Sequence, residues 1–224
     1  MLNLISMQSK NKISLIIFCS IFVGFLGFFV FRILSVQYQQ GKTIFTPQQI
    51  HTVLQPPQGA IQATVTNLLG KVGKEGRNDT SFHSITKPTT LIEGESLSAT
   101  DSGSVSVQFN NIAVLSLGTN TELDYLNGLP NALVVRQPRG TIAYDTSLNI
   151  KPFSIRSLGL LTQLTSQAKV IIVTNTTEQT VYVTVIKGTV TLAYSDQNNN
   201  TQVEKLNKGQ KALFDNNAST LTLE

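Results

Sequence analysis

Ser104-Val105-Ser106-Val107-Gln108-Phe109 decides the fold class. In an extended chain Val105, Val107 and Phe109 share one face and the polar residues share the other, the period-two pattern of a half-buried strand. Thr180-Val181-Tyr182-Val183-Thr184-Val185 and Thr189-Val190-Thr191-Leu192 repeat it. Val170-Ile171-Ile172-Val173 is apolar at every position, which predicts a strand covered on both faces. Turn signals separate the runs at Gly76, Glu93-Gly94, Asp101-Ser102-Gly103, Asn110-Asn111, Asn127-Gly128, Pro138, Gly188, and Asn207 to Gly209. No window of a dozen residues carries a 3.6-residue period. Residues 60–224 are therefore expected to be all-β, as a sandwich, a jelly roll or a short β-solenoid.

Two details sharpen that expectation. Arg139-Gly140-Thr141-Ile142 and Lys187-Gly188-Thr189-Val190 echo each other, a weak sign of stacked units. The short link Lys187-Gly188-Thr189 predicts a tight hairpin between Val181–Ile186 and Thr189–Tyr194, with glycine supplying a positive φ. In that register Val181, Val183 and Val185 face the same core as Val190 and Leu192.

The same stretches resemble the FecR domain, named after the periplasmic part of the ferric-citrate regulator. Leu91-Ile92-Glu93-Gly94-Glu95-Ser96-Leu97 leads into a Ser/Thr-rich turn, the strand Val105 to Phe109, and then Ile112 to Leu117. Gln137-Pro138-Arg139-Gly140-Thr141-Ile142, Pro152-Phe153-Ser154-Ile155, Val181 to Val190 and Val203 to Gln210 continue the likeness over about residues 60 to 215. One departure is Asn110-Asn111 where the family has an Asp-Gly turn; Asn tolerates positive φ, so a tight turn still forms. The resemblance implies a β domain outside the cytoplasm that binds something. Regulatory members couple such a domain through one membrane helix to a cytoplasmic anti-sigma domain. Only about a dozen residues precede the apolar run here, so the anti-sigma activity is not carried over.

That run, Ile13 to Phe31, holds 19 residues with Ser14 and Ser20 as its polar interruptions. As a helix it spans about 28 Å, close to the hydrocarbon thickness of a bilayer. Neither a small-x-small cleavage site nor a lipobox at Cys19 accompanies it, so an uncleaved anchor is expected over residues 13–34. Lys10 and Lys12 place residues 1–12 in the cytoplasm and the rest outside. Residues 35–59, Gln-rich with Pro47, Pro56 and Pro57, make a flexible linker in which His51 is a solvated residue.

Composition excludes several functions. Four of the 17 basic residues precede residue 70, leaving 13 against 13 acids in the remainder. A formally neutral body has no Lys/Arg stripe for nucleic acid. A single cysteine rules out an internal disulfide and a cysteine-based zinc site. Glu93, Glu95 and Asp101 flank turns and are weighed as calcium ligands, with a solvated edge as the plainer reading. His83 in Ser81-Phe82-His83-Ser84 has no nucleophile elbow beside it and reads as a strand residue. Asn78, Asn175, Asn199 and Asn217 begin Asn-x-Ser/Thr sequons, which an Asn- and Thr-rich chain produces by chance. No catalytic, cofactor-binding or metal-binding residue is assigned, no cofactor is implied, and the ligand-binding residues stay unnamed.

The functional expectation is thus a single-pass, membrane-anchored, non-enzymatic binding or sensing module. Its partner would be an envelope protein or polysaccharide. Two alternatives stay open: a self-associating cell-surface module, for which Ser219 to Leu223 offers an edge free of Lys and Pro, and a regulator acting through a separate cytoplasmic partner.

Overall fold

The computed structural model describes residues 57–77, 79–146 and 152–224. The apolar run, its flank, Cys19, His51, Asn78 and the linker through residue 56 lie outside them. Among the described residues there are 17 strands and no helix.

The strands form two layers. In layer I lie β1 (Ala63–Leu69), β4 (Thr89–Leu91), β6 (Ser104–Phe109), β7 (Ala113–Leu117), β12 (Lys169–Asn175), β13 (Thr180–Lys187), β16 (Lys211–Asp215) and β17 (Thr220–Leu223). In layer II lie β2 (Val72–Gly76), β3 (Asp79–Ile85), β5 (Ser96–Ala99), β8 (Thr121–Leu129), β10 (Phe153–Ser157), β11 (Leu160–Leu164), β14 (Thr189–Ser195) and β15 (Thr201–Asn207). β9 (Ala132–Thr146) belongs to both. Layer I runs β4-β1-β6-β7-β9-β12-β13-β16-β17, antiparallel throughout. Layer II runs β3-β2-β5-β8-β9-β10-β11-β14-β15, with one parallel step between β9 and β10. The sheet is open, not a barrel: among the described residues each layer ends in two free edges.

Period two produces this packing. β6 buries Val105, Val107 and Phe109 while its polar residues stay at the surface, and most strands obey the same alternation, the edge strands β3, β15 and β17 excepted. The inner faces meet through aromatic contacts across the layers. Phe109 of layer I lies 5.0 Å from Tyr125 and 5.9 Å from Phe153 of layer II, ring centre to ring centre. Tyr194 and Phe214 repeat the contact between β14 and β16 at 5.4 Å. Such edge-on and tilted pairs add roughly 0.5–1.5 kcal/mol each beyond their buried area.

β9 passes from one layer to the other at a defined place. Its residues 132–139 pair in layer II and 140–146 in layer I. At the crossing the register against β8 slips, so that Gln137 and Pro138 face the single residue Leu123. A bulge is where a proline, lacking an N–H, does least harm to a ladder. Gly140 then turns the strand with φ +87°, where a side chain would meet the Thr121 backbone at 2.5 Å. The fully buried Gln137 side chain holds the bend. Its Nε2 donates to the carbonyls of Gly140 (2.8 Å) and Ile172 (3.0 Å), and its Oε1 accepts from the Tyr144 hydroxyl (2.9 Å). Pro138 therefore marks a bend inside one strand, not the turn between two.

Beyond β9 the chain advances in hairpins that alternate between layers: β10–β11, β12–β13, β14–β15 and β16–β17. Each docks on the preceding hairpin of its own layer or on β9. The path winds along one axis as a solenoid does, yet its pairings are those of a sandwich.

Three further expectations need correction. β13 and β14 do not form a hairpin with each other. β13 pairs with β12 and β16, β14 with β11 and β15, and Gly188 (φ +76°) is a corner between layers. The shared burial of Val181, Val183, Val185, Val190 and Leu192 is real, but it comes from facing across one core, not from cross-strand pairing. β12 is covered on one face only: Val170 and Ile172 are buried, Ile171 and Val173 half-buried, because no further layer overlies layer I among the described residues. Asn127 and Gly128 lie inside β8, and the tight turn is Pro130-Asn131. By contrast, Asn110-Asn111 does turn β6 into β7, with Asn110 at φ +42°.

Candidate binding surface

In the C-terminal half the hairpin turns gather on one rim of the sandwich and the layer crossings on the other. Each turn is stiffened by its own side chains. Asn175 Oδ1 accepts from the N–H groups of Thr177 (3.0 Å) and Glu178 (3.2 Å). Asp196 Oδ1 accepts from those of Asn198 and Asn200, both at 2.9 Å. Asp215 Oδ1 accepts from those of Asn217 (2.8 Å) and Ala218 (3.0 Å). These are the local bonds for which turns favour Asn and Asp.

Asn216 then joins turns from both layers. Its Oδ1 accepts from Gly159 N–H at 3.0 Å, its Nδ2 donates to Gln179 Oε1 at 3.1 Å, and its backbone N–H donates to Gln179 O at 2.9 Å. Gln197 Nε2 reaches Ala218 O at 3.0 Å and ties in the fourth turn. The result is a rim with a fixed backbone and exposed amide and hydroxyl groups from Thr176, Thr177, Asn198, Asn199 and Asn217. Chemically it offers mostly uncharged donors and acceptors, with the exposed Glu178 carboxylate among them, suited to a peptide backbone or a sugar hydroxyl. The sequons at Asn175, Asn199 and Asn217 fall on this rim because its turns are rich in Asn, Thr and Ser: Thr177 and Ser219 lie in turns and Thr201 opens β15. The hub was invisible in Asp215-Asn216-Asn217, where nothing distinguishes one Asn from its neighbour.

A second polar surface is the outer face of layer II. Arg136 Nε donates to Asp124 Oδ2 at 2.6 Å, and Ser96 Oγ donates to Asp124 Oδ1 at 2.6 Å. Arg139 and Glu122 pair at 3.4 Å. Burial, followed by the Asp124 charge, pushes the Glu122 carboxyl above its usual value against the pull of Arg139. Arg156 stands in register beside Arg136 on the neighbouring strand. Arg136, Asp124 and Ser96, and Arg139 with Glu122, satisfy one another as a structural ion ladder does.

The acids weighed as calcium ligands are separately engaged. Glu93 Oε2 accepts from Gly128 N–H at 3.0 Å and its Oε1 faces Arg77 at 3.6 Å. Glu95 Oε1 pairs with Lys74 at 2.8 Å and its Oε2 accepts from Ile92 N–H at 2.9 Å. Asp101 sits in the exposed turn before β6. Among the described residues no three His, Cys, Asp or Glu side chains gather as a metal site. His83 lies exposed on the edge strand β3, opposite Lys74.

No protein-family model matches the sequence, and no curated protein does. Among solved structures, two crystal structures of a "putative anti-sigma factor" from Parabacteroides distasonis, at 1.65 and 2.50 Å, are similar. Each has a TM-score of 0.50 and 14% sequence identity over 58% of this chain and 58% of that one. At that identity the likeness is one of fold. The chain spans less than two thirds of the structures it matches.

Proposed function

We propose that this chain is a membrane-tethered, non-enzymatic, FecR-like β module standing outside the cytoplasm, which binds a protein or polysaccharide of the envelope through its hairpin rim. The observation that carries the reading is the welded rim, four turns tied together by side-chain bonds, three of which present exposed amide and hydroxyl groups. Loops held by a rigid scaffold are where binding is usually placed. The fold likeness to an anti-sigma protein supports a regulatory setting, in which occupancy of the rim is passed through the apolar run to a separate cytoplasmic partner.

A photo-crosslinking residue placed at Thr177 or Asn198 in the full chain, in its own membrane, should yield the same adduct from both positions. Gln163, on the outer face of layer II, should yield none. Labelling at the rim no stronger than at Gln163 overturns the assignment of the rim. The tether is checked separately: mass spectrometry should recover the residues before Ser35, and a mature N-terminus near that position overturns the anchor.

A further inference from the structure

The four edges left free among the described residues are not alike. β4 is three residues long and follows Pro88. β3 carries Asp79 and His83, and β15 carries Glu204 and Lys205. Short length, proline and charge are the usual guards of a strand edge. β17, Thr220-Leu221-Thr222-Leu223, is four residues long and holds neither proline nor a charged residue, the charge of Glu224 coming only at its end.

Its hydrogen-bonding parity follows from its pairing with β16. Lys211 and Glu224 exchange both backbone bonds, Lys211 N–H to Glu224 O at 3.1 Å and Glu224 N–H to Lys211 O at 2.9 Å. Bonded pairs recur every second residue in an antiparallel ladder, so Thr222 and Thr220 also turn their backbone groups toward β16. Leu221 and Leu223 are left with N–H and C=O directed out of the sheet. Their side chains lie on the inner face with Ala212 and Phe214. Leu221 packs partly against the core, and Leu223 is 50% exposed.

We propose that two copies of this chain pair antiparallel through β17, about a two-fold axis at Thr222. In that register Leu221 of each copy faces Leu223 of the other, so the outward groups of both strands meet in four backbone bonds. The same pairing sets each Leu223 against the other copy's Leu221 and extends the apolar inner face across the junction. Glu224 falls opposite Thr220, so no like charges meet. The edge is self-complementary, which is the requirement of a two-fold interface, and it joins two layer-I sheets into one. This pairing stands whether or not the rim binds a partner.

The test uses the full chain in its membrane with Cys19→Ser and one cysteine added. Thr222 pairs with itself at a non-bonded position, where Cα atoms lie about 4.5 Å apart, inside the range a disulfide spans. Thr222→Cys should therefore crosslink on mild oxidation at least tenfold faster than Gln163→Cys, which reports random collision. Adding Leu221→Pro removes an outward N–H while leaving the bonds to β16, and should abolish the advantage. Leu223→Lys, at a half-exposed site that the fold tolerates, should do the same and decides the matter if the proline variant does not fold. Equal rates at positions 222 and 163, or an advantage that survives Leu223→Lys, overturn the proposal.

Discussion

Gly188 and Gly140 explain the echo between Arg139-Gly140-Thr141-Ile142 and Lys187-Gly188-Thr189-Val190: each glycine is a corner where the chain changes layer. A Cβ on Gly188 would stand 2.9 Å from Ala168 Cα and adopt a positive φ. Holding a β-branched residue there costs roughly 1–3 kcal/mol in backbone strain. Gly188→Val should lower the unfolding midpoint, and an unchanged or raised midpoint would show that the corner relaxes. A lowered midpoint was equally expected of a hairpin, which is why sequence alone could not separate the two. The glycine was legible, but its partner strands were not. Glu122 makes a second test. Because its folded pKa is raised, its ionised form is disfavoured in the fold. That penalty is absent below the unfolded-state pKa and grows as pH rises toward the folded value. Glu122→Gln should therefore match the parent in acid and equal or exceed it in thermal midpoint at neutral pH. A variant less stable than the parent at pH 7 would show that the pair with Arg139 outweighs the burial.

At the scale of the element, alternation located strands well because burial itself alternates. β6 spans the predicted residues, and β13 and β14 begin where their patterns begin. What alternation cannot carry is which strand lies beside which. Val170 to Val173 misled because a central strand of a two-layer fold tolerates Ile171 and Val173 on a half-covered outer face. The β14–β15 hairpin gives the element-scale prediction. Gln202 Nε2, together with the N–H groups of Asn200 and Asn198, holds the Asp196 carboxyl below its usual range. A lowered folded pKa stabilises above the unfolded-state value, and that contribution disappears as pH falls through the folded one. Asp196→Ala should loosen the turn at neutral pH, with the gap from the parent closing in acid. A thermal gap independent of pH would mean that the carboxyl's charge plays no part.

For the whole molecule, sequence established an all-β body and its class of turns, whereas the rim and the two-layer path depend on contacts made far apart in the chain. Asn216 contacts Gly159 and Gln179 only after three hairpins have docked. The path has a consequence of its own. Each hairpin touches chiefly its neighbours along one axis, so the ends of the array can open without the centre, as in stacked repeats. The centre holds the layer-bridging cluster of Phe109, Tyr125, Tyr144 and Phe153 and the buried Gln137 bonds, where local opening would strand polar groups at about 1–3 kcal/mol apiece. The C-terminal end holds β16–β17, attached to layer I through β13 alone. Native-state hydrogen exchange should therefore find amides of β7, β9 and β12 exchanging only through global unfolding, while those of β16 exchange through a smaller, denaturant-insensitive opening. Leu221→Ala should hasten exchange in β16 without altering β9. Uniform protection along the chain, with one shared response to denaturant, would mean instead that the seventeen strands open as a single cooperative unit.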